Sequence, residues 1–98
     1  MDKATAIAKL TANADAIKAL GATSLFLYGS TVRDEARPDS DVDVFVEYDL
    51  ANKFSLLDLV GIKLELEKIL GAEIDIATRD GLHPLLRKRI ERSAVRVF

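Results

Sequence analysis

The chain has 98 residues, a formal net charge of −2, 49% hydrophobic and 31% charged residues, and no cysteine. That composition fits one small globular domain, residues 1–98, and excludes a disordered segment, disulfides, thiolate metal sites and a cysteine nucleophile. The acidic balance argues against a nucleic-acid binder working through bulk positive charge. Lys9, Asp15 and Lys18 interrupt any signal-peptide core, and no run approaches the roughly 18 apolar residues that span a bilayer, so a cytoplasmic protein is expected.

From Asp2 to Leu20, Ile7, Leu10, Ala14 and Ile17 recur at helical spacing, and Gly21 follows at a C′ position; one amphipathic helix is predicted. Ser24 to Tyr28 is a short apolar run between glycines 21 and 29, the pattern of a buried strand. After a Gly-Ser turn with a helical character in its first residues, a loop at Arg37-Pro38-Asp39 leads to a second strand, Asp41 to Glu47. Ser55 and Asp58 have capping-box spacing and open a helix that runs to Leu70 and stops at Gly71. Its buried stripe is Leu59, Ile62, Leu66 and Ile69, and Gly61 within it suggests close packing. Glu73 to Ala77 reads as a third strand and Pro84 as the first residue of a last helix with Leu85, Leu86, Ile90 and Ala94; Val95 to Phe98 suit a short edge strand. The expected fold class is α/β (α+β in stricter usage): a small mixed sheet of three or four strands with helices packed on it.

The chemistry concentrates on two strands. Period two puts Asp41 and Asp43 on one face of the second strand and Val42, Val44 and Val46 on the other. Two carboxylates that close repel by roughly 2–3 kcal/mol at an effective dielectric near 20, an arrangement suited to holding a divalent cation. Asp75 lies on the polar face of the third strand. If the second and third strands are neighbours, the three carboxylates can converge on one or two Mg²⁺ ions that bind a nucleoside triphosphate. The Gly29-Ser30 turn supplies N–H groups and a hydroxyl for anionic oxygens.

Gly29-Ser30, ten residues, then Asp41-Val42-Asp43 resembles the signature of the minimal nucleotidyltransferases, a branch of the DNA polymerase β-like superfamily. The likeness extends to Ser40-Asp41, Pro38-Asp39 and Leu82-His83-Pro84, and covers nearly the whole chain. It implies the polymerase β-like nucleotidyltransferase fold, with Asp41, Asp43 and Asp75 as catalytic metal ligands and Gly29, Ser30 and Arg33 at the nucleotide. It implies transfer of AMP from ATP, with Mg²⁺, to a tyrosine of a HEPN-type toxin, as the antitoxin of a toxin–antitoxin pair. Relatives often have Gly where this chain has Asp34; if the position needs positive φ, Asp tolerates it less well than Gly.

Other readings compete at several residues. Arg33 can bind triphosphate or pair with an acidic neighbour, and Arg37 reads as solvated. His83, the only histidine, fits a cap before the last helix better than a catalytic base. Tyr28 and Tyr48 suit core or rim packing better than stacking on a base. Arg87-Lys88-Arg89 with Arg92 is either a solvated helix face or a surface for an acidic partner. Two further functions stay open: a catalytically silent antitoxin acting by contact, and a transferase for a small molecule or a nucleic-acid end. Homo-oligomers are possible.

Overall fold

The computed structural model describes residues 1–37 and 39–98. Pro38, which the sequence places in the loop ahead of the second strand, lies outside the described residues.

Four strands form one sheet: β1 (Ala22–Tyr28), β2 (Val42–Tyr48), β3 (Ile74–Thr78) and β4 (Val95–Arg96), in the order β3-β2-β1-β4. β1 runs antiparallel to both β2 and β4, and β2 runs parallel to β3, so the sheet is mixed as expected. The parallel pair requires a crossover, which helix α3 (Leu56–Leu70) provides. Alternation then divides the sheet into two unlike faces. Leu25, Leu27, Val42, Val44, Val46 and Ile74 point to the back, where they join Ala6, Leu10, Ile17, Ile62, Leu66 and Leu70 of the helices in one buried cluster. Each of the valines, leucines and isoleucines contributes about 1.5–3 kcal/mol relative to exposure.

Local chemistry sets the ends of α3. Ser55 Oγ accepts from Asp58 N–H while the Asp58 carboxylate accepts from Ser55 N–H at 2.8 Å, the reciprocal cap anticipated from the spacing. Gly71 closes the helix at φ 65°, a left-handed conformation in which a side chain would be strained.

Four expectations change. The first helix is two, α1 (Lys3–Ala12) and α2 (Ala14–Ala19), broken at Asn13, whose side-chain amide donates to Lys9 O at 2.8 Å. An asparagine amide competes with the main chain for that carbonyl and stops the helix in mid-pattern. Gly61 does not mark close packing, because a Cβ built there meets nothing within 4 Å. The last helix, α4 (Arg87–Ser93), begins after Pro84, not at it. His83 O accepts from Leu86 and Arg87 N–H, and His83 Nδ1 accepts from Leu85 N–H at 3.2 Å, so the histidine closes a turn ahead of the helix. Finally, β2 starts at Val42, which leaves Asp41 just outside it. Among the described residues, no helix is long and apolar enough to cross a membrane.

Candidate active site

The front of the sheet carries the site. Register places Tyr28 of β1 opposite Asp43 of β2, and Asp43 opposite Asp75 of β3, so the three side chains form a row across neighbouring strands. The second and third strands are therefore neighbours, as convergence of the acidic residues requires. Asp41 stands ahead of β2 and is exposed. Asp43 and Asp75 are brought together. Asp41 is near enough for its charge to act on Asp43, but among the described residues no three acidic, histidine or cysteine side chains gather at one point.

Gly29 leaves β1 at φ 75° and enters a single 3-10 turn, Gly29–Thr31. Here glycine is required twice over. The dihedral is left-handed, and a Cβ would collide with Asp43 Oδ2 and lie 3.2 Å from its Cγ. The carboxylate of Asp43 thus lies directly against the backbone of the Gly-Ser turn. The turn is held by Glu35 N–H donating to Ser30 O at 2.9 Å and Asp34 N–H donating to Thr31 O at 3.2 Å. Thr31 is fully buried beneath it, and its Oγ1 has no hydrogen-bond partner among the described residues.

Asp34 does occupy positive φ, at 54°, the only non-glycine among the described residues to do so. Its side chain compensates: Oδ1 accepts from Lys3 N–H at 3.0 Å and ties the turn to the start of α1. Arg33 forms an ion pair with Glu35 at 3.1 Å, and both side chains are largely exposed. The pair is therefore weak and leaves the guanidinium available to an anion. Arg33 also lines a cleft of about 220 Å³ with Tyr28 and Gly29 on one side and Leu86, Arg89, Ile90 and Ser93 on the other.

The electrostatics follow from this crowding. Burial raises the Asp43 carboxyl above its ordinary value of 3.8; the charges of Asp75 and Asp41 raise it further, and Arg33 opposes them. Tyr28 is pushed up to about 12 by burial and then by Asp43 and Asp75. In each group burial is the largest cause, and the part contributed by neighbouring carboxylates is what a cation would relieve. The donors are carboxylate oxygens only, the set that a hard divalent ion prefers, and Gly29 provides the space beside them. The Asp43 and Asp75 carboxylates fit such an ion, and Asp41 lies close enough for its charge to act on Asp43.

Sequence reasoning missed the support under this row. Phe26 and Phe45 stack at 4.6 Å between centroids, and the Arg79 guanidinium lies over both rings, at 4.9 and 5.3 Å. Arg79 Nη1 donates to Glu47 Oε2 at 3.1 Å. Its Nε stands 2.8 Å from Glu91 Oε2, an ionic contact too bent to be an aligned hydrogen bond. The signal was the same period of two: 43, 45, 47 and 75, 77, 79 share one face, which puts Glu47 beside Arg79. Tyr48 packs at the rim, stacked on Phe54 at 4.5 Å and donating to Asp80 at 3.1 Å.

Residues 13–97 match the family model described as the nucleotidyltransferase domain, and the chain belongs to that family. Within it, this is a minimal nucleotidyltransferase. A solved structure of a candidate minimal nucleotidyltransferase is 38% identical and superposes with a TM-score of 0.81 over 97% of this chain and 95% of that one. A candidate protein adenylyltransferase of Methanocaldococcus jannaschii is 46% identical over 72 residues, 74% of this chain and 75% of the relative. The fold alone is shared, at 15% identity and a TM-score of 0.59 over 89% of this chain and 70% of the other, with a chain from the complex of a tri-AMPylated Shewanella oneidensis HEPN toxin with its MNT antitoxin.

Proposed function

We propose that this chain transfers AMP from ATP, with Mg²⁺, to a tyrosine hydroxyl of a HEPN-type toxin and is that toxin's antitoxin. The observation that carries the reading is the row Asp43–Asp75 set against a glycine that has room for nothing larger. Names of relatives supply the rest: a candidate protein adenylyltransferase at 46% identity and a fold match in an AMPylated toxin complex.

In this reading Asp41, Asp43 and Asp75 hold the cation, whose part when bound is to neutralise triphosphate charge. The N–H groups of the Gly29–Thr31 turn and the Ser30 hydroxyl donate to phosphate oxygens, and Arg33 adds a guanidinium at the mouth of the cleft. The acceptor oxygen bonds to the α-phosphorus, the bond from that phosphorus to the bridging oxygen breaks, and pyrophosphate leaves. The acceptor's proton passes to a carboxylate of the row, for which Asp75 is the more exposed candidate. Catalysis of this kind is largely positioning and charge stabilisation, and a surface row suits an acceptor delivered by a partner protein.

The test is to incubate wild-type protein and Asp43→Asn with ATP, Mg²⁺ and a HEPN-type toxin, then weigh the intact partner. One or more added adenylyl groups with wild type only is the expected result. An unmodified partner inhibited equally by both versions would establish an antitoxin that works by contact. Label found on a small molecule or a nucleic-acid end instead would overturn the choice of acceptor.

A further inference from the structure

Helix α4 forms the far wall of the cleft beside Gly29, yet none of its seven residues is fully buried. A helix this short has little stability of its own, so its position must come from tertiary contacts. Among the described residues, its ion pair to the rest of the fold runs through one side chain, Arg79, in the turn that follows β3. That guanidinium lies over Phe26 and Phe45, at 4.9 and 5.3 Å from their centroids, donates to Glu47 of β2, and meets Glu91 of α4 at 2.8 Å. Arg87 of the same helix also reaches Glu91, at 3.5 Å, and closes a chain of alternating charge from sheet to helix.

We infer that Arg79 is a positioning residue: by latching Glu91 it sets α4, and with it Leu86 and Arg89, against the Gly29 turn, and so governs nucleotide affinity without touching the nucleotide. The inference rests on the reading of this cleft as part of a nucleotide site. Arginine suits the task because its delocalised cation can sit over the aromatic pair while its several N–H groups serve two carboxylates, which the compact lysine ammonium does less well. The groups that α4 brings to the cleft lie across from the carboxylate row. Loosening them removes binding shared by ground state and transition state, which raises KM and spares kcat.

The experiment compares wild type, Arg79→Ala, Arg79→Lys and Glu91→Gln by amide hydrogen exchange and by steady-state AMP transfer. In Arg79→Ala, exchange at the Ile90 and Ala94 amides, which donate to Leu86 O and Ile90 O at 2.9 Å, should quicken about tenfold or more while β1 and β2 amides hold. KM for ATP should rise about tenfold with kcat within about threefold. Arg79→Lys should recover part of both effects. Glu91→Gln, which leaves the stacked arginine in place, should reproduce them in weaker form and serves if Arg79→Ala does not fold. Unchanged α4 exchange in Glu91→Gln, or a fall in kcat at constant KM, overturns the inference. Absence of AMP transfer by wild type would sink the proposed function alone, because the exchange measurement still decides whether the latch exists.

Discussion

On the back of the sheet, Leu25, Leu27, Val44 and Val46 are sealed from solvent by Leu10, Ile17, Ile62 and Leu66, with no polar side chain in the cluster. On the front, Asp43 and Asp75 stand side by side and Tyr28 is driven to about 12. Both faces come from the same alternating segments. The back is arranged for stability, and the front holds groups that would each be more stable elsewhere. A face that keeps charge repulsion and a left-handed glycine together is one whose arrangement is set by what it binds.

The sharpest way to separate the faces is to substitute each. Asp43→Asn should reduce AMP transfer by at least about 10²–10³-fold, the scale for losing a group that stabilises transition-state charge. The same change should raise the melting temperature in cation-free buffer. The sign follows from the raised carboxyl: the native state holds that proton more tightly than the unfolded chain, so stability is lost as pH rises above 3.8 and through the raised native value. The advantage of Asn over Asp should therefore be full at neutral pH and disappear below 3.8, as thermal melts across that range will show. Leu66→Ala on the back should do the reverse, costing about 2–5 kcal/mol in denaturant unfolding while KM for ATP holds.

Glycines sharpen the contrast further. Gly29→Ala must accept both a left-handed φ and a collision with the Asp43 carboxylate, and should cost about 1–3 kcal/mol in stability and most of the activity. Gly61→Ala, on a helix with open space at its Cβ, should gain up to about 1 kcal/mol and leave transfer unchanged. Equal destabilisation of the two in chemical melts would break the distinction. The smallest effect is at Thr31. Replacing it with valine, similar in shape and free of the unpaired hydroxyl, should stabilise by about 1 kcal/mol if nothing fills that role in solution. A destabilised Thr31→Val would show that the hydroxyl has a partner, such as an ordered water.

Much of this molecule was legible in its residues because the rules that apply are local. Alternation assigned Asp43 and Asp75 to one face and the valines to the other; Ser55 with Asp58 and Gly71 marked both ends of α3; and Asp34, standing where relatives often have Gly, indeed takes positive φ. The resemblance carried by Gly29-Ser30 and Asp41-Val42-Asp43 led to the family to which the chain belongs.

Tertiary structure decided what depends on partners far apart in sequence. The order β3-β2-β1-β4 and the register that sets Asp43 beside Asp75 arise from which strands meet, a choice no single strand encodes. Asn13 breaks a pattern that periodicity alone would continue, since one side-chain amide can take the carbonyl the next turn needs. Arg79 owes its role to Phe26, Phe45, Glu47 and Glu91, up to 53 positions away, which close around it. Sequence determined the period, the caps and the reactive groups, because each depends on neighbours a few residues apart. The fold alone decided which of those groups meet, because contact between distant residues is settled only when the whole back face is buried at once.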